Sequence, residues 1–238
     1  AGSYASSGTY VTGLAAKNAA TELREKICAK AAQMWDVDAA DVVFDGQYVR
    51  LSDERAAREQ NRYLTLRDFA NLCVKNIAGG DALTSHASAC LPVSPPPFMA
   101  GIAEVEVDKA TGKVTVVDYA AAVDCGTVIN EALARVQAEG GIAQGIGHAL
   151  YEIVEHDERG RLRTGNFMSY KLPTRLDIGS IRVAFEPSYE PTGPFGAKSI
   201  GEVVINTPLA AVASAVAHAT GHQVRSLPIT PEKALLGE

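Results

Sequence analysis

Glu202 closes the segment G-P-F-G-A-K-S-I-G-E (193–202) and stands beside the apolar run Val203-Val204-Ile205. A carboxylate set between a glycine-rich loop and apolar residues is expected to be desolvated, which suits it to general-base work. The plainer reading is a solvated loop glutamate. Backbone amides of such a loop can also bind an oxyanion or a phosphate. Thr207 followed by Pro208 has the form of an N-cap with proline at the first helical position, so a helix is expected over 206–220. A second glycine-rich stretch carries Gly140, Gly141, Gly145 and Gly147 inside a helical pattern. Each glycine there costs about 0.5–1 kcal/mol relative to alanine, so a backbone or a ligand must approach closely. Gly141 and Gly145 are one helical turn apart, which also fits plain helix–helix packing. A third small-residue loop runs from Gly2 to Gly8.

Other chemistries fail on spacing. A-T-G-K at 110–113 lacks the first glycine and the hydroxyl residue of a phosphate-binding P-loop, and G-G-I-A-Q-G-I-G does not fit G-x-G-x-x-G. A flavin- or nicotinamide-binding module therefore has little support. His218 and His222 lack the intervening glutamate of a zinc site, and Gly221 ends a helix between them. G-x-S-x-G is absent. Cys28, Cys73, Cys90 and Cys125 form no CxxC pair, which argues against an iron–sulfur cluster or a structural zinc in this chain. Scattered thiols of this kind are expected to be reduced, mostly buried and cytoplasmic.

The elements that must position these loops follow from periodicity. Apolar residues at three and four predict an amphipathic helix over 10–35, and Thr65 with Asp68 starts another over 65–78, ended by Gly79-Gly80. Strands are expected at 42–44 and 48–51 around Asp45-Gly46, then at 98–107 and 113–124 as a long hairpin. Further signals are a helix over 130–151, a hairpin joining 151–156 to 161–164, and a strand at 181–185. Pro92 and Pro95-Pro96-Pro97 mark a seam near residue 95. The 238 residues carry a formal charge of −6, which gives no footprint for nucleic acid or an anionic membrane. No apolar stretch is expected to span a bilayer.

Four motifs, in order, resemble the molybdopterin-binding part of the molybdenum hydroxylases, the xanthine dehydrogenase and aldehyde oxidoreductase family. They are G-S-Y-A-S-S-G-T-Y-V-T-G (2–13), V-D-C-G-T-V-I-N-E-A-L-A-R-V-Q-A-E-G-G-I-A-Q-G-I-G-H-A-L-Y-E (123–152), M-S-Y-K-L-P-T (168–174) and G-A-K-S-I-G-E (196–202). The resemblance implies oxidative hydroxylation of a heteroaromatic or aldehyde carbon with oxygen from water, Glu202 being the general base. It implies that Gln144 and Gly145 face the pterin. Ala5, Ser6, Ser7 and Gly8 would give it backbone and hydroxyl hydrogen bonds, and Lys198, Ser199 and Ile200 would lie along it. Molybdenum itself would be held by the pterin, with no metal ligand from the chain.

The same resemblance implies an α+β fold of mixed sheets with flanking helices. Two molybdopterin-binding subdomains are expected, over 1–95 and over 96–238, the second carrying Glu202. The cofactor is molybdopterin, in some family members with an added nucleotide. Iron–sulfur clusters and FAD belong to other domains or chains. Expected partners are the N-terminal part of the molybdenum subunit, iron–sulfur and flavin subunits and a small-molecule substrate, with no nucleic acid. The chain reads as a processed, truncated or naturally split piece of a longer subunit. The alternative is a noncatalytic scaffold or assembly chain of such a complex.

Overall fold

The computed structural model describes residues 4–75, 83–90 and 93–237. The chain divides into two compact units, Ala1–Val11 with Leu91–Glu238, and Thr12–Cys90. They differ from a split at residue 95 in two respects: the later boundary falls between Cys90 and Leu91, and the small-residue loop at the start packs with the later half, through contacts that local sequence does not announce.

In the Thr12–Cys90 unit a long helix, α1 (Gly13–Trp35), precedes a three-stranded antiparallel sheet, β1 (Val42–Phe44), β2 (Tyr48–Leu51) and β3 (Tyr63–Thr65). A short helix, α2 (Glu54–Glu59), joins β2 to β3, and α3 (Leu66–Lys75) follows directly. Ile27, Ala31 and Ala32 of α1 meet Val42, Val49, Phe69 and Cys73 in its core. The Thr65 hydroxyl accepts from Asp68 N at 3.1 Å, as its cap pattern predicts. The expected stop at Gly79-Gly80 lies outside the described residues, as do Gly2 and Pro92.

The other unit contains β4 (Phe98–Val107), β5 (Val114–Asp124), α4 (Glu131–Leu150), β6 (Ser180–Phe185), α5 (Val203–Thr220) and α6 (Pro231–Leu236). Its sheet has the order β4-β5-β6, antiparallel in the first pair and parallel in the second. Val114 and Val116 are buried, then Tyr119, Ala121 and Val123. The phase changes because Val117 is an extra residue opposite the Glu104–Val105 step, a bulge that returns the later side chains to the same face. Helices α4 and α5 cover that face through Ala138, Ile142 and Ile146 on the first and Val204, Pro208, Val212 and Val216 on the second, each set at intervals of four.

Three expectations need correction. Helix α5 starts at Val203, and Thr207 is inside it. Val204 is fully buried and the Thr207 hydroxyl pairs with the Tyr119 hydroxyl at 2.8 Å, so tertiary packing overrides the local cap signal. The hairpin at 151–164 reduces to a single bridge, His156 to Leu162. The Asp157 carboxylate takes the amides of Arg159 and Arg161, which tightens the turn and leaves no regular ladder. Alanine-rich α5 is, by length and composition, apolar enough to cross a bilayer, so the expected absence of such a stretch does not hold. Its Val204, Pro208, Val212 and Val216 are nonetheless buried within this unit. Of the thiols, Cys73 and Cys125 are buried, Cys28 is half-buried and Cys90 exposed.

Candidate functional site

The end of β5 and the start of α5 set the site. Gly126 has a left-handed φ of 70°, and a Cβ there would lie 2.3 Å from the Gly196 carbonyl oxygen. Glycine therefore lets the 196–198 segment pair with the chain leaving β5. Thr127 N donates to Gly196 O at 2.8 Å, and Lys198 N donates to Cys125 O at 2.7 Å.

Lys198 is the one charged residue buried as a whole among the described residues, 8% exposed. Its ammonium lies 2.6 Å from Asp124 Oδ2, 3.3 Å from Pro96 O and 5.4 Å from the centre of the Phe98 ring. Asp124 also accepts from Ser188 Oγ at 2.5 Å and Gly126 N at 3.0 Å. Burial pushes the Asp124 carboxyl up. The Lys198, Ser188 and Gly126 hydrogen bonds together outweigh that and hold it below the usual value. Cys125 beside it is pushed up by burial, so it is an inert thiol.

From that anchor the loop runs through half-buried Ser199 and Ile200 to Glu202, which occupies the N-cap position of α5 without capping it. Its carboxylate instead accepts from Ser6 Oγ at 2.8 Å, and its backbone N–H donates to the same oxygen at 2.8 Å. Ser6 belongs to a tight turn closed by Ser7 N to Tyr4 O at 3.0 Å. Ala5 and Ser6 in that turn both have left-handed φ, 48° and 57°. Two such non-glycine residues in succession cost roughly 1–3 kcal/mol each and persist only where the surroundings hold them. Tyr10, a few residues on, is buried and its hydroxyl lies 2.5 Å from Thr192 Oγ1.

Two neighbouring cavities open here. One, of about 390 Å³, is lined by Ser6, Gly8, Thr9, Lys198, Ile200 and apolar residues at the start of α4, Val128, Ile129 and Leu133. The second, about 450 Å³, is lined by Gly140, Gly141, Gln144, Gly201, Glu202 and Ile205. Gln137 borders both and donates its amide to Gly201 O at 2.9 Å. The structure thus brings Glu202, Gln144 and the 5–8 turn to adjoining walls.

The expected desolvation of Glu202 does not occur among the described residues, where it is exposed on the wall of an open cavity. Gln144 is also exposed, with no hydrogen bond among the described residues. The glycines divide by role. A Cβ on Gly141 would lie 2.4 Å from Val204 Cγ2, and one on Gly145 would lie 2.8 Å from Pro208 Cβ, so both admit α5. Gly145 is buried under Pro208 and faces away from the cavities. A Cβ on Gly140 would meet nothing within 4 Å, and this glycine alone of the three faces open space.

Sequence reasoning missed Asp124 and Gln137. Gln137 lies seven residues before Gln144, two turns along the same helix face, and that spacing could have found it. The pairing of Asp124 with Lys198 spans 74 residues and leaves no local signal.

The walls fit a pterin. They offer an exposed amide at Gln144 with no protein partner among the described residues, open backbone at Gly140, and apolar surface beside the small-residue turn. Among the described residues no group of three or more His, Cys, Asp and Glu could hold a metal ion directly.

The molybdopterin cofactor-binding domain family matches residues 1–179. The chain is 36% identical over 235 residues to a probable hypoxanthine oxidase, XdhD, of Escherichia coli (strain K12), covering 98% of this chain and 24% of the relative. It is 34% identical over 233 residues to the putative xanthine dehydrogenase molybdenum-binding subunit XdhA of the same strain, covering 98% and 30%. The crystal structure of quinoline 2-oxidoreductase from Pseudomonas putida 86 superposes with a TM-score of 0.77 at 30% identity, over 97% of this chain and 30% of that one. The chain spans less than a third of the length of each.

Proposed function

The chain belongs to the molybdopterin cofactor-binding domain family, among the molybdenum oxidoreductases of the xanthine dehydrogenase group, and from that premise we propose that it supplies the general-base wall of a hydroxylase site. The proposed reaction is oxidative hydroxylation of a heteroaromatic or aldehyde carbon with oxygen from water. The bound molybdenum cofactor would supply a two-electron acceptor and activate water. Glu202, by its carboxylate, would take the proton released as the new carbon–oxygen bond forms. Gln144 would hold the cofactor edge through its amide, which can donate and accept. Ala5, Ser7 and Gly8 would contribute backbone polar groups. Ile200 would supply apolar contact, and Ser199 its hydroxyl. Lys198, whose ammonium is engaged by Asp124, would act through its backbone and by fixing the loop.

The observation that carries this reading is the convergence of Glu202 and Gln144, 58 residues apart, on one 450 Å³ cavity whose floor includes Gly140 and Gly141. A scaffold chain has no physical need of a carboxylate and a free amide facing the same space. The partners in this reading are the remaining part of the molybdenum subunit, iron–sulfur and flavin subunits and a small-molecule substrate, in the cytoplasm. Glu202→Gln in the complete enzyme is expected to lower turnover by at least about 100-fold with molybdenum content unchanged. Near-normal turnover in that variant would remove the base from Glu202.

A further inference from the structure

We propose that Ser6 is a positioning residue for the Glu202 carboxylate, and that its hydroxyl serves the base and not the cofactor. The inference rests on the reading of Glu202 as general base and goes beyond it. A serine hydroxyl has one proton and two lone pairs. Ser6 Oγ receives the Glu202 backbone N–H at 2.8 Å, so its single proton is the one directed at Glu202 Oε2, also at 2.8 Å. One oxygen therefore ties both ends of the same residue, backbone and carboxylate, across 196 positions of sequence. That arrangement restrains the torsions between them and aims the second carboxylate oxygen. With its proton spent in this way, Ser6 has none to give a cofactor.

The backbone supports the assignment. Ser6 has φ 57°, a conformation that glycine adopts without strain. If the turn served only through its backbone, glycine would be the less strained residue there. What serine adds is the hydroxyl, and the hydroxyl goes to Glu202. The partner loop is shaped to receive it: a Cβ at Gly201 would lie 3.0 Å from Ser6 Oγ and 3.3 Å from Ser6 Cβ, so the residue before Glu202 leaves room for the serine.

Ser6→Gly in the complete molybdenum enzyme separates the possibilities, because it removes the hydroxyl while easing the backbone. The expected result is a fall in kcat of about 10- to 100-fold, the scale of a misplaced catalytic group, with KM, molybdenum per subunit and released-pterin fluorescence unchanged. Because Ser6 acts through Glu202, the loss is expected to vanish in the Glu202→Gln background, where the double variant should match Glu202→Gln alone. An additive loss in the double variant would overturn the inference, as would a drop in molybdenum and pterin with kcat per molybdenum intact. If Glu202→Gln abolishes turnover while Ser6→Gly leaves kcat unchanged, positioning by Ser6 fails and the base assignment stands. If Glu202→Gln keeps turnover, both fail together.

Discussion

A buried ammonium needs its counter-charge, and Lys198 has Asp124 at 2.6 Å with side-chain exposures of 10% and 21%. Removing one member leaves the other uncompensated, which costs roughly 3 kcal/mol at the low end for buried pairs. Asp124→Asn is therefore expected to lower stability by about that amount at neutral pH, read from denaturant midpoints. The Asp124 carboxyl is held below its usual value in the folded state, so its contribution is present above the unfolded pKa of about 4 and is lost as pH falls through the folded one. The gap between wild type and Asp124→Asn should narrow below about pH 4; a gap constant from pH 7 to pH 3 would rule the pair out as its source. That Glu202 and Lys198 share one loop was legible in sequence because a contiguous motif carries them. Ser6 was legible as part of a loop, but its partner was not, since no local pattern encodes a contact between positions 6 and 202.

Between elements, the α4 glycines do two jobs that look alike in sequence. Gly145→Ala forces a methyl to within 2.8 Å of Pro208 Cβ and 3.1 Å of Ile205 O, and neither neighbour is a flexible side-chain end. Overpacking of this kind costs about 1–3 kcal/mol. Gly140→Ala meets nothing and gains helix propensity, a change of about 0.5–1 kcal/mol in the opposite direction. Thermal denaturation of the two variants should therefore shift to opposite sides of wild type. Equal shifts would mean that the α4–α5 interface yields freely. Periodicity exposed β4, β5, β6, α1 and α4 because in each the less exposed residues recur at the period of the element, as the strict alternation along β4 shows. It misjudged the start of α5, where Thr207 carries a cap signal yet spends its hydroxyl on Tyr119, and it could not foresee the Val117 bulge that keeps β5 in phase.

On the scale of the whole molecule, the residues assigned to catalysis stand on surface. Glu202 and Gln144 are both exposed, and the cavity they line is walled by one compact unit of a chain that spans 24% and 30% of two molybdenum-enzyme relatives. A carboxylate in open water gains little as a base, and a metal site gains electrostatic strength only when water is excluded. In the proposed reading, the facing wall comes from outside these residues. Retention of molybdopterin is expected only when the chain is assembled with the remainder of its molybdenum subunit. Metal analysis and pterin fluorescence of the chain alone and of the assembled complex check this directly. Molybdenum and pterin in the complex and in neither free part would fit a cofactor clasped between two half-sites, each contributing hydrogen bonds that neither holds alone. Tight retention by the chain alone would mean that the Ser6 turn, Gln144 and the 196–202 loop suffice for binding, and that the missing wall serves substrate alone. If even the assembled complex lacks both, the scaffold reading takes over, and the pairing of Ser6 with Glu202 becomes a structural latch at the start of α5.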